Sequence, residues 1–155
     1  QKSEVLKDKK NRSFSLRGKI DAYVDHDGFF SIIDFKVTDI DEKKIELYKT
    51  QLLSYAVMFE KPNEKGLKLS PIKNLGIFCF EPNKIQSIDN KPSFDMKTQY
   101  YPIQRDDEYL LNFITEIIDF LEGPKPDFDK NCGLCNSCSY GQRRIWSSRR
   151  YSHDL

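Results

Sequence analysis

Asp21, Asp34 and Lys36 are the residues whose types and spacing could do chemistry together. Residues 13–25 alternate through Phe14, Leu16, Ile20, Ala22 and Val24, and residues 29–38 are more apolar; both read as strands. Asp25-His26-Asp27-Gly28 between them carries the Asp-Gly hairpin signal. With His26-Asp27 as a two-residue loop, Asp25 pairs with Gly28 and Asp21 with Ile32. Side chains alternate faces along a strand, so Asp21, Tyr23, Ile32, Asp34 and Lys36 share one face. The other face, with Ile20, Ala22, Val24, Phe29, Ser31, Ile33, Phe35 and Val37, reads as core. Asp21 is then diagonal to Asp34, about 7–8 Å away at Cα, and both carboxylates reach one ion. Buried carboxylates are costly unless paired or metal-bound, and hard oxygen ligands with open water positions suit Mg²⁺ or Mn²⁺. Such an ion binds a phosphoryl oxygen and lowers the pKa of a bound water. Lys36 could position or deprotonate that water, or neutralise the charge that develops. Together these parts serve hydrolysis of a phosphodiester. Taken alone, Asp34-Phe35-Lys36 is a weak signal, better read as a salt bridge or a solvated edge face.

The elements that must hold these residues follow the same patterns. Residues 44–61 read as an amphipathic helix closed by Pro62. Gln51 and Tyr55, four apart on it, share a face and could hold a lysine, a phosphate or a DNA backbone, or be simply surface and core. Residues 63–73 read as a polar loop. A buried strand over 75–80 is ended by Glu81-Pro82-Asn83, and residues 94–103 read as a fourth strand. A second amphipathic helix over 106–121 is stopped by Gly123, Pro124 and Pro126. The order is strand, strand, helix, strand, strand, helix, an α/β layer with a mixed sheet, and the strands flanking the first helix run parallel. Residues 1–12 are charged and lack a period, and are expected to be the end of a helix or a linker.

Gly18-Lys-Ile-Asp21, Ile33-Asp34-Phe35-Lys36 and Gln51-Leu-Leu-Ser-Tyr55 occur in this order at ordinary spacing. The combination resembles the RecB-like branch of the PD-(D/E)XK nucleases, over about residues 13–140. The resemblance implies a restriction-endonuclease-like core with a mixed central sheet flanked by helices, over 13–131, followed by a Cys-containing segment and basic tail over 132–155. It implies Asp21 and Asp34 as ligands of Mg²⁺ or Mn²⁺, with the backbone carbonyl of Phe35 as a further ligand. Lys36 becomes the catalytic lysine, and Gln51 and Tyr55 become supporting or substrate-contacting residues. The implied activity is a deoxyribonuclease, an exonuclease on single-stranded or frayed DNA ends, working in replication, recombination, repair or CRISPR adaptation. Other recombination or CRISPR proteins are then expected partners. The family pattern also has a helix before the first strand that often supplies a further acid. Glu4 is the acid that precedes Asp8 here, and the chain reads as a piece lacking its true N-terminus. The alternative is a catalytically silent nucleic-acid-binding or scaffold domain, against which the presence of both acids and the lysine counts.

Three of the four cysteines crowd into Cys132-Gly-Leu-Cys135-Asn-Ser-Cys138, which suits a reducing compartment rather than a disulfide framework. CRISPR-associated and helicase-linked relatives carry an iron–sulfur cluster on a C-terminal trio spaced C-x2-C-x-Y-x3-C. Cys135, Cys138 and Tyr140 match its first part, but Arg144 stands where its last cysteine falls, and Cys132 is extra. The trio could hold a cluster given a fourth ligand, or Zn²⁺ with His153, or remain free thiols. Cys79, within an apolar run, reads as a buried apolar thiol, and His26 as solvated.

The bulk composition is that of one globular domain: 155 residues, 38% hydrophobic and 32% charged. No apolar run approaches the ~20 residues that span a bilayer, and no targeting segment is visible. An intracellular location is expected, cytoplasmic or that of a virus-encoded protein in its host's cytoplasm. A net charge of +1 is silent on nucleic acid. Arg143, Arg144, Arg149 and Arg150 form a basic tail that is either a phosphate contact or a solvated end.

Overall fold

The computed structural model describes residues 1–38, 42–88 and 91–124. The chain divides into two compact units, Gln1–Asp119 and Phe120–Leu155, and the fold below is that of the first. Cys132, Cys135, Cys138, His153 and the C-terminal arginines lie outside the described residues.

Six strands and two helices make up the described chain: β1 (Leu6–Lys7), β2 (Ser13–Phe14), β3 (Ala22–Asp25), β4 (Phe30–Val37), α1 (Glu42–Glu60), β5 (Ile72–Ile88), β6 (Lys91–Ile103) and α2 (Asp107–Glu122). β3-β4-β5-β6 form one mixed sheet in that order, and β1-β2 a separate antiparallel pair. β4 and β5 are parallel, as the intervening helix requires, and the other neighbours are antiparallel. Among the described residues no helix is long and apolar enough to cross a membrane.

α1 buries far more than one stripe. Leu52, Leu53, Tyr55, Ala56, Met58 and Phe59 are all buried, which places this helix at the centre of the core. Its partners are Ile32 on β4 and Leu75, Ile77 and Cys79 on β5. At roughly 2 kcal/mol for each fully buried aliphatic side chain, this one helix–sheet contact dominates the apolar stabilisation. Cys79 is a buried free thiol, as its apolar run indicated, and burial pushes it above the usual thiol range.

Four expectations are corrected. The hairpin turn is Asp27-Gly28, one residue later than expected: His26 N–H donates to the Phe29 carbonyl at 2.9 Å, and Asp25 pairs with Phe30. Both central positions of such a turn need positive φ. Gly28 (142°) and Asp27 (53°) supply it. Second, the sheet face expected to be core is the outer one. Val24, Phe35 and Val37 are exposed, Phe35 by 45% and Val37 by 72%, whereas Ile32 and Asp34 lie under α1 at 0% and 2%. Third, residues 1–12 are neither helix nor linker. Leu6 pairs with Phe14 and Lys7 with Ser13, and the connection closes on Asp8, whose carboxylate accepts the backbone N–H groups of Lys10 and Arg12. Fourth, Pro82 does not end β5. The strand continues to Ile88, paired with β6, with a register shift between Pro82 and Lys84. Past Phe80 the β4 neighbour is gone, and an edge position tolerates a residue with no N–H to donate.

Candidate active site

Asp34 sits mid-strand on β4 because the apolar residues around it commit the segment to the sheet, and strand alternation then turns it with Ile32 and Lys36 toward α1. The corrected turn moves the hairpin register by two residues, which leaves every side chain on its expected face. It changes who stands opposite whom. The ladder ends at the pair Ala22–Ile33; Asp21, the residue before it, is close enough to Asp34 for the two like charges to repel. An Asp21 carboxylate oxygen is fixed by the Phe35 backbone N–H, which donates to it at 2.9 Å.

The ammonium of Lys36 lies 2.7 Å from Oδ2 of Asp34. That oxygen is buried, and the Lys36 ammonium is its charged partner. Burial pushes the Asp34 carboxyl up, Lys36 draws it back and Asp21 pushes it up again; the net shift is upward. For Lys36, burial works against the charged form, but the Asp34 contact outweighs it and the ammonium is held above its ordinary range. Lys36 is therefore firmly a cation here.

α1 supplies the wall over this pair. Tyr48 presents its ring to Lys36, with Nζ 4.8 Å from the centroid, within range of a cation–π contact. Tyr48 is one of the apolar positions of the helix read over residues 44–61. Its signal was available, since it lies three residues before Gln51 and seven before Tyr55 on the same face. The Gln51 amide donates to the Tyr55 hydroxyl at 2.6 Å, and Tyr55 is buried. Gly18 explains the spacing of the first motif. A Cβ there would meet Cε1 of Tyr55 at 2.8 Å, so the glycine lets the chain pass against the tyrosine ring on its way to Asp21. The structure thus brings Asp21, Asp34, Lys36 and Tyr48 together and joins Gly18, Tyr55 and Gln51 in a supporting layer. Glu4 belongs elsewhere: its backbone N–H bonds to the carbonyl of Lys61, just past the end of α1, and about 18 Å of helix separates that end from Tyr48. His26 is exposed as expected, but it bonds Ser31 at 2.8 Å and stacks on Phe29.

A divalent cation fits these residues. The buried carboxylate of Asp34 and the nearby carboxylate of Asp21 carry two negative charges against the one positive charge of Lys36, an excess that a hard cation relieves. Among the described residues no three His, Cys, Asp or Glu side chains converge. Two carboxylates nevertheless suffice for an ion that keeps several waters and binds through phosphate as well.

The chain matches the sequence profile of the PD-(D/E)XK nuclease superfamily over residues 2–143. It belongs to that superfamily, and the mixed sheet and two helices are its restriction-endonuclease-like core. Superfamily members are generally nucleases that use divalent metal ions, usually Mg²⁺, so nucleic acid is the implied substrate class. No curated protein and no solved structure shows a significant match to the chain.

Proposed function

We propose that this domain is a Mg²⁺- or Mn²⁺-dependent deoxyribonuclease of the RecB-like kind, acting on single-stranded or frayed DNA ends. The observation that carries the reading is the buried Asp34 carboxylate, with the Asp21 carboxylate acting on it and the Lys36 ammonium 2.7 Å away. Asp21, Asp34 and the Phe35 carbonyl would hold the ion, which when bound supplies a polarised phosphoryl oxygen and an acidified water. Asp21 is pre-set for this by the Phe35 N–H. Lys36, kept charged and held by the face of Tyr48, neutralises the negative charge that builds on the phosphorane-like transition state. Gln51 and Tyr55 brace the helix face and the glycine turn leading to Asp21. The RecB-like assignment rests on the three motifs in order; a cluster or zinc at Cys132, Cys135 and Cys138, work in recombination or CRISPR complexes, and an intracellular setting belong to the same reading.

The test is cleavage of end-labelled single-stranded DNA with Mg²⁺, Mn²⁺ or EDTA, beside Lys36→Ala, Tyr48→Phe and Tyr48→Leu. Metal-dependent cutting is expected, lost by at least 100-fold in Lys36→Ala, kept in Tyr48→Phe and reduced about tenfold in Tyr48→Leu, a loss consistent with the magnitude of one cation–π contact. Cutting that survives Lys36→Ala removes this centre as the active site.

A further inference from the structure

We propose that the β5–β6 ribbon is a track for the phosphodiester backbone of the strand cut at the Asp34–Lys36 centre, an inference that rests on the nuclease reading above. The sheet is four-stranded only as far as the pair Val37–Phe80. Beyond it β5 runs on from Glu81 to Ile88, eight residues that pair, among the described residues, with β6 alone. At 3.3 Å per residue that is an arm of about 26 Å, and it leaves the sheet at the end where Lys36 stands.

The faces of the arm follow from the pairing. Lys36 is level with Cys79, and Cys79 with Gln99, so all three lie in one row on the face under α1. The next row outward on that face is Glu81 and Lys97. The irregularity between Pro82 and Lys84 then offsets β5 by one residue, so that Lys84 stands opposite Asp95, on the same face as Lys97, and not on the outer face with Pro82 and Met96. Alternation along β6 adds Lys91 to that face. Three exposed lysines therefore follow the centre along one side of the ribbon, while the other side carries Pro82, Met96 and Tyr100. Two carboxylates, Glu81 and Asp95, share the lysine side, and Asp95 accepts the Asn83 amide at 3.1 Å. Exposed pairs of this kind are worth little and are screened by salt, so long lysine stems exchange them readily for phosphate oxygens, with release of counterions.

The experiment is fluorescence anisotropy with a labelled single-stranded DNA 30-mer in EDTA, at several salt concentrations. The proteins are the wild type, the triple variant Lys84→Gln/Lys91→Gln/Lys97→Gln, a control of equal charge change at exposed loop residues (Lys61→Gln/Lys65→Gln/Lys68→Gln), and Glu81→Gln/Asp95→Asn. The ribbon triple variant should bind at least tenfold more weakly, and its slope of log K against log salt should flatten by about 2, as three lost single-strand phosphate contacts require. The loop control should match wild type, and the double acid variant should bind more tightly. Equal weakening in the ribbon and loop variants, or wild-type binding by the ribbon variant, overturns the track while wild-type cleavage keeps the nuclease reading. A wild-type protein that neither binds nor cuts DNA overturns both.

Discussion

Asp34 holds a buried negative charge beside a second carboxylate. It is 2% exposed, Asp21 adds to the cost of its charge, and the Lys36 ammonium 2.7 Å from Oδ2 offsets only part of that cost. Charged groups left this way cost stability. Asp34→Asn removes the charge at nearly constant shape, so the metal-free variant should melt above wild type at neutral pH. Mg²⁺ should raise the melting temperature of wild type and leave the variant unmoved, because a ligand stabilises only the state that binds it. A variant that melts lower, or that responds to Mg²⁺ like wild type, would show that the oxygen is not a metal ligand.

Between elements, the contact that matters most to the site is that of the Gly18 backbone with the Tyr55 ring. It joins the segment leading to Asp21 to the helix that covers Lys36. Gly18→Ala places a methyl 2.8 Å from a buried aromatic carbon, and the ring is hydrogen-bonded through its hydroxyl to Gln51, so it has little freedom to move. Overpacking of this kind costs about 1–3 kcal/mol. Urea denaturation should show that loss, and Gly18→Ala/Tyr55→Leu should recover part of it, since contacting sites couple. Full additivity would mean the two residues do not press on one another.

Across the first unit, polar clasps bind segments far apart in sequence. Arg105, just before α2, forms paired hydrogen bonds with Glu60 at the end of α1 and with Asp107, and donates to the Ile72 carbonyl at the start of β5. Burial pushes the Glu60 carboxyl up, but Arg105 and the Ile72 N–H outweigh it and hold it below the usual range. Arg105→Ala should cost about 3 kcal/mol at neutral pH, the scale for breaking a largely buried pair. With its folded pKa below its unfolded one, Glu60 gives stability that is present above about pH 4.3 and is lost as pH falls through the folded value. The penalty of Arg105→Ala, followed by denaturation across pH, should therefore shrink in acid; a pH-independent penalty would point to lost packing alone. At the other clasp, Arg12 bridges Asp8 and Asp119, and Lys10 also reaches Asp119, which fastens the β1–β2 hairpin to α2. Charged residues that read as an aperiodic leader thus serve as the hairpin's anchors.

The sequence by itself determined the parallel β4–β5 pair, the two helices and the shared face of the candidate site residues. Strand alternation is local, and a two-residue slip leaves faces unchanged, so Asp21, Asp34 and Lys36 were bound to share one. Helix spacing likewise put Gln51 and Tyr55 together and would have added Tyr48. What the tertiary structure decided is everything non-local. The apolar residues of β4 lie on both faces, and only the packing of α1 determined that Ile32 and Asp34 go inside while Phe35 and Val37 stay out. Positive φ at Asp27 and Gly28 fixed the register that pairs Ala22 with Ile33 and Asp25 with Phe30. A short strand such as Leu6–Lys7, or β5 carried past a proline, exists only because a distant partner pairs with it, and a strand's partner is not written in its own residues.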